Sequence, residues 1–219
     1  MTPEQREALA QETLHILTAS GAILDNDHFV YISGDHGSGW IDMNAIYPHT
    51  ERLEQLCRAL ARLLRDHDIQ VVVGPATGGL IVAEWTAHEL GVLAAFTEHA
   101  ETVAPGEIRG RFILRRGYDH LVTGQRVLVV DDIVNTGWST RQTVAAVRQA
   151  GGHVVAAACL VTRGNVDATG VTVPDFEYLL EHRIPSWPAA QCHLCQAGVP
   201  INTRYAHGRD FLAKQGRLP

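Results

Sequence analysis

The chain reads as an α/β protein built on a central, mostly parallel sheet flanked by helices. Two runs, Val71-Val72-Val73 and Val127-Leu128-Val129-Val130, are apolar without polar alternation, as strands covered on both faces are. Each passes into a loop of small residues and then into a helical pattern, and a third apolar run, HVVAAACLVT at 153–162, follows the second helix. Repetition of strand, loop and helix is what this fold class requires.

The 219 residues suit one domain with additions, and 46% hydrophobic with 19% charged content is ordinary for a globular chain. A net charge of −6 argues against a nucleic-acid partner, which calls for a basic face. No apolar run is long enough to span a bilayer, and MTPEQREALAQETLHIL has acids where a secretory signal has a basic start, so the cytoplasm is the expected location. Four cysteines do not resemble a disulfide framework, and Cys57 and Cys159 sit in apolar surroundings.

In chain order, Thr2 as N-cap and Pro3 in the first turn open a helix, with Leu9, Thr13, Leu14, Ile16 and Leu17 as its buried face up to Gly21. Residues 28–33 and 40–43 are two β-like runs around a Gly-rich turn, which predicts a hairpin. An amphipathic helix is expected over 50–66 from Leu53, Leu56, Cys57, Leu60, Leu63 and Leu64. The strand at 71–73 then leads into Gly74-Pro75-Ala76-Thr77-Gly78-Gly79, a helix over 81–90 and a strand over 92–96. By itself that loop reads equally well as a plain connection.

Residues 98–121 are polar and carry Arg109, Arg111, Arg115 and Arg116 with several glycines. They predict a long flexible hairpin, the usual place for a lid, although a solvated charged hairpin explains any one of these arginines as well. In the tail, Cys192-His193-Leu194-Cys195 is half a zinc site, with His182 and His207 nearby, but no second pair follows at ribbon or finger spacing. A disulfide there is disfavoured in a reducing compartment. The last stretch, 204–219, is basic and expected to be loosely held.

The densest chemistry lies at 127–150, VLVVDDIVNTGWSTRQTVAAVRQA. Asp131 and Asp132 stand where the strand should end, and Asn135, Thr136, Gly137, Trp138, Ser139 and Thr140 form a turn into a helix that stops at Gly151-Gly152. Free N–H groups, the positive end of a helix dipole and three hydroxyls around one point make a pocket for a phosphate monoester. Gly137 lets the backbone approach closely. Carboxylates suit instead vicinal hydroxyls or a hard cation such as Mg²⁺. A ligand with phosphate at one end and a diol at the other is a ribose 5-phosphate. The competing reading is an ordinary strand and turn with two surface aspartates; a Walker A loop is excluded, because no Lys follows the glycine.

VLVVDDIVNTGWST resembles the phosphoribosyl pyrophosphate (PRPP) signature of type I phosphoribosyltransferases, in about fourteen consecutive positions. The wider chain, 29–200, is most similar to the orotate branch. Phe29, Ser33, Gly34 and Trp40 resemble that branch's N-terminal hood, with Asp42 in place of an Asn, and CHLCQAGVP resembles its tail. The resemblance implies a single phosphoribosyltransferase domain, with a helix and hood at 1–49, a core at 50–170 with its flexible loop, and a C-terminal segment at 171–219.

It further implies Mg²⁺-dependent transfer of ribose 5-phosphate from PRPP to a nucleobase, orotate first, with a different base (uracil, a purine) or a non-catalytic PRPP sensor as alternatives. Asp131 and Asp132 would hold the ribose hydroxyls and Mg²⁺, residues 135–140 the 5-phosphate, and Ala76, Thr77, Gly78 and Gly79 the pyrophosphate. Arg109, Arg111, Arg115 or Arg116 would close over that pyrophosphate, commonly in the neighbouring subunit of a homodimer. Phe29, Trp40 and Arg163 would frame the base; a surface Arg at a strand end is the competing view of Arg163. The branch's basic residues are missing at four positions, which read Ile32, Gly78, Glu98 and His99.

Overall fold

The computed structural model describes residues 1–100 and 110–216. Helix α1 (Pro3–Ala19) begins in a capping box in which Thr2 and Gln5 satisfy each other's amides. It buries Thr13, Ile16 and Leu17, while Leu14 turns to solvent instead of joining that face. Strands β1 (Ile23–Val30) and β2 (His36–Ile41) pair antiparallel. The hairpin expected at 28–33 and 40–43 is therefore present but displaced, since its turn sits at 31–35 and leaves Trp40 inside a strand. Helix α2 (Thr50–Leu63) stops before residue 66, and a 3₁₀ turn, Arg65–His67, replaces its last turn.

Strand β3 (Val71–Pro75) leads to helix α3 (Gly78–Leu90) and strand β4 (Leu93–His99). After residues 101–109, β5 (Phe112–Leu114) returns antiparallel to β4, followed by the short helix α4 (Tyr118–Val122). Strand β6 (Arg126–Val134) feeds helix α5 (Trp138–Gln149), then β7 (His153–Thr162) and β8 (Phe176–Glu181). The chain closes with β9 (Ser186–Trp187), α6 (His193–Gln196) and α7 (Gly208–Lys214).

The main sheet runs β5-β4-β3-β6-β7-β8, parallel except for β5. Its apolar runs are buried because each face has its own cover. Val72, Leu128 and Val130 pack with α2 and α3, whereas Val71, Val73, Val127 and Val129 pack with Val144 and Val147 of α5. Each such valine contributes about 1.5–3 kcal/mol by leaving water. With α3 on one face and α5 on the other, the chain departs in opposite directions from neighbouring β3 and β6. The crevice beyond their carboxyl ends is where ligands bind in such sheets.

A second sheet, β1-β2-β9, forms the hood. The described part of the tail is tied to the hood, contrary to the expectation that 204–219 is loosely held: Asn202 donates its N–H to the His28 carbonyl at 2.7 Å and His207 to that of Val30 at 2.9 Å. Among the described residues no helix is long and apolar enough to cross a membrane.

Candidate active site

Strand β6 continues beyond the expected strand end. It stays paired with β7 through Asp131↔Cys159, Ile133↔Val161 and Val134↔Thr162, but its pairing with β3 ends at Val73↔Val129. The sheet therefore opens on one side at the acidic pair. Asp131 is buried, and burial, reinforced by the neighbouring Asp132, holds its carboxyl well above the usual carboxylate range. Asp132 accepts from the Ile133 amide at 2.7 Å and from the Tyr47 hydroxyl. Burial and the Asp132 charge raise that phenol, so it stays a donor. Tyr47 was not singled out in the sequence, because nothing marks a tyrosine 85 residues away as facing an aspartate.

Residues 135–137 turn the chain into α5, with Gly137 at φ 69°. A Cβ on Gly137 would lie 2.9 Å from Val171, so the site requires glycine twice over. Arg141, also missed in the sequence, braces this turn by donating to the carbonyls of Thr136 (2.8 Å) and Gly170 (2.9 Å). Asn135 and Thr136 are exposed, and the first amides of α5 follow at Trp138, Ser139 and Thr140. Two expected side-chain roles change. The Trp138 ring packs on His99 and Phe112 of the β4–β5 hairpin, leaving only its backbone for an anion. Thr140 is buried, and its hydroxyl, which has no hydrogen-bond partner among the described residues, does not face the crevice.

The neighbouring loop carries a cis peptide at Ala76-Thr77. The Ala76 amide is bound to the Thr97 carbonyl at 2.7 Å, so it does not face a leaving group as expected. Gly78 and Gly79 are held tightly against the acids: a Cβ on Gly78 would lie 2.1 Å from Asp132 Oδ2, and one on Gly79 3.0 Å from Asp131 Oδ1. The missing lysine at 78 thus has a physical reason, since Tyr47 and Asp132 fill its place.

Glu98 and His99 are likewise accounted for. Arg116 pairs with Glu98 at 3.2 Å and Arg115 lies 3.9 Å from it, so both are engaged within the hairpin in this arrangement. His99 stacks between Phe112 and Trp138. Arg111 is exposed at the start of the return strand, and Arg109 lies outside the described residues.

Across the crevice, Tyr31, Ile32, Asn135, Thr136, Arg163 and Ile184 are among the walls of a cleft of about 500 Å³. Arg163 lies over the Tyr31 ring at 5.1 Å and donates to the Ile184 carbonyl at 3.3 Å, while its buried Nε has no partner. Phe29 is 1% exposed inside the hood, so it cannot frame a base; Tyr31, two residues on, takes that wall. Trp40 stacks behind Tyr31 at 6.2 Å. The two acids offer oxygen donors only, one of them ionising against burial, which is a donor set fitted to a hard cation or a diol.

An open-edged acidic strand end between a glycine loop and a glycine turn that starts a helix, at the switch point of a parallel sheet, defines an enzyme of the type I phosphoribosyltransferase fold. The model of the "Phosphoribosyl transferase domain" family matches residues 43–168. An orotate phosphoribosyltransferase of Desulforamulus reducens is 34% identical over 191 residues, covering 87% of this chain and 93% of its own. Orotate phosphoribosyltransferase 2 of Mesorhizobium japonicum is 39% identical over 192 residues, covering 86% and 93%. The chain belongs to the phosphoribosyltransferase family and, within it, is most like the orotate phosphoribosyltransferases. Solved structures agree in fold. Orotate phosphoribosyltransferase from Aeropyrum pernix superposes with TM-score 0.60 at 25% identity, covering 76% of this chain and 92% of its own. The Mycobacterium tuberculosis enzyme in complex with PRPP gives 0.58 at 24%, covering 79% and 95%.

Proposed function

We propose that this enzyme transfers the 5-phosphoribosyl group of PRPP to the ring nitrogen of orotate, giving orotidine 5'-phosphate and pyrophosphate. The observation that carries the choice of base is Arg163, whose guanidinium-bearing side chain is a wall of the cleft that also reaches Asn135 and Thr136. A guanidinium in that setting suits a carboxylate on a planar base. The curated relatives above bear orotate in their names.

In this reading the amides of 136–140, with the hydroxyls of Thr136 and Ser139, grip the 5-phosphate, and Asp131 and Asp132 hold the ribose diol, with the Tyr47 hydroxyl fixing Asp132. The base nitrogen forms its bond to C1 as the bond to pyrophosphate breaks. The developing positive charge on the sugar lies near the two carboxylates, and catalysis rests on orientation and exclusion of water. The amides of Thr77, Gly78 and Gly79 are the groups available to the leaving pyrophosphate. Mg²⁺, held by Asp131 and Asp132 directly or through water and the ribose hydroxyls, would neutralise pyrophosphate charge. The basic hairpin, serving a neighbouring subunit, makes a homodimer part of the proposal.

The test is to mix protein, Mg²⁺ and PRPP with orotate, uracil, hypoxanthine or adenine and follow pyrophosphate release. Release with orotate alone is expected. Activity confined to another base would overturn the choice of base, and PRPP binding without release would favour a sensor.

A further inference from the structure

The CxxC of the tail acquires its missing half from the hood. His28 lies in β1, His36 opens β2, and Cys192 and Cys195 flank the start of α6. Their four ligand atoms lie within 4.8 Å of one another. His28 Nε2 is 3.5 Å from Cys192 Sγ and 3.8 Å from Cys195 Sγ, and Cys195 Sγ is 3.4 Å from His36 Nδ1. A tetrahedral zinc with bonds of about 2.3 Å to sulfur and 2.0 Å to nitrogen sets its ligands roughly 3.3–3.8 Å apart. Three of the four sulfur–nitrogen separations already fall in that interval, and the fourth and the sulfur–sulfur distance lie within 4.8 Å. The two ring nitrogens, 2.8 Å apart, need to open by about half an ångström.

The cluster has the supports of a metal site. His28 Nδ1 meets the Val199 carbonyl at 2.8 Å, which in the neutral ring puts the proton there and leaves Nε2 bare toward the cluster. Both imidazoles and Cys192 are buried, while Cys195 is exposed and gives a way in. Without an ion the two rings share one hydrogen bond if His36 carries its proton on Nδ1, and oppose two bare nitrogens if it is on Nε2, which has no partner among the described residues in either case. A cation among the four atoms removes the opposition of lone pairs.

We propose that His28, His36, Cys192 and Cys195 form a structural zinc site that clasps the C-terminal segment to the hood. Two thiolates and two imidazoles select zinc over Mg²⁺, which prefers an all-oxygen shell. The four protein ligands close the coordination sphere, so the ion is structural and the site is separate from the acidic pair. Its consequence for the active site runs through the backbone: His28 and His36 bracket the turn that places Tyr31 and Ile32 on the cleft wall. The clasp joins residues 164 apart in sequence, so metal binding energy becomes folding energy for hood and tail together.

Elemental analysis of the full-length protein, purified without added metal or chelator, tests this directly. One zinc per chain is expected, retained in Asp132→Asn and lost in the Cys192→Ser/Cys195→Ser double variant. Chelation should lower Tm and expose two further thiols to a thiol reagent, with Zn²⁺ but not Mg²⁺ reversing both. Cobalt loading of the unmutated protein should give the absorption of tetrahedral cobalt thiolate, which keeps the test decisive if the double variant fails to fold. Less than roughly a tenth of a zinc per chain, with no change in thiol reactivity or Tm on adding stoichiometric Zn²⁺, would overturn the proposal. So would a Cys192–Cys195 disulfide in the freshly purified protein. None of these readouts uses phosphoribosyl transfer, so an inactive enzyme would leave this result standing.

Discussion

The floor of the active site and its hood are held together by different means. In the floor, residues 127–140 are contiguous: a strand buried by packing on both faces carries two acids, and the following turn is fixed by Gly137 and braced by Arg141. In the hood, two strands from the start of the chain are completed by β9 and by a cluster in which Cys192 and Cys195 of the tail meet His28 and His36. Main-chain geometry sets the shape of the floor. The hood depends on tertiary contacts between distant segments, so it is the part that mutations can loosen without unfolding the core.

The largest effect should fall on the floor. Asp132→Asn is expected to lower kcat/KM about 10²–10³-fold, with circular dichroism and Tm nearly unchanged. Steady-state kinetics check this, and retention of full efficiency would break the assignment. On the hood side, Arg163→Ala should raise the KM for orotate by about 10–100-fold while leaving the KM for PRPP within a few-fold. An equal loss for both substrates would mean that the two regions do not divide the ligands as described.

Tyr47→Phe tests the link between the regions, since this hydroxyl reaches Asp132 from the segment that joins hood to core. We expect kcat to fall by about tenfold, a loss typical of one hydrogen bond to a charged group. The smallest effect is on stability and has the opposite sign. Asp131 has its carboxyl raised by burial first and by Asp132 second. A carboxyl raised in the folded state costs stability as pH rises from its unfolded value, about 4, through its folded value; below both, the cost vanishes. Without ligands, Asp131→Asn should therefore melt above the unmutated enzyme at pH 7, with the advantage shrinking as the pH approaches 4. Equal melting temperatures at pH 7 would contradict that strain.

Periodicity and local signatures made the core legible. The valine runs announce strands covered on both faces, and the acids, glycine and hydroxyls of 131–140 are consecutive, so a candidate site stands out there without knowledge of the fold. What escaped depends on distance. Tyr47, Arg141 and Tyr31 act through partners that only folding supplies, and His28 and His36 are unremarkable until β1 and β2 bring them to the cysteines. His182 and His207, nearer to the CxxC in sequence, instead lie near Asp25 and Asp210. Phe29 misled because an aromatic in a hairpin gives no sign of which face it occupies. Phe29 lies within β1 and in the core, whereas Tyr31, just past the strand in the turn, reaches the cleft.

Diffraction from crystals soaked with PRPP and Mg²⁺ tests the central claim most directly. The 5-phosphate should lie within hydrogen-bond reach of the amides of residues 136–140, with the ribose diol on Asp131 and Asp132. PRPP bound elsewhere, with that turn empty and the acids still held only by Tyr47 and their own backbone, would contradict it.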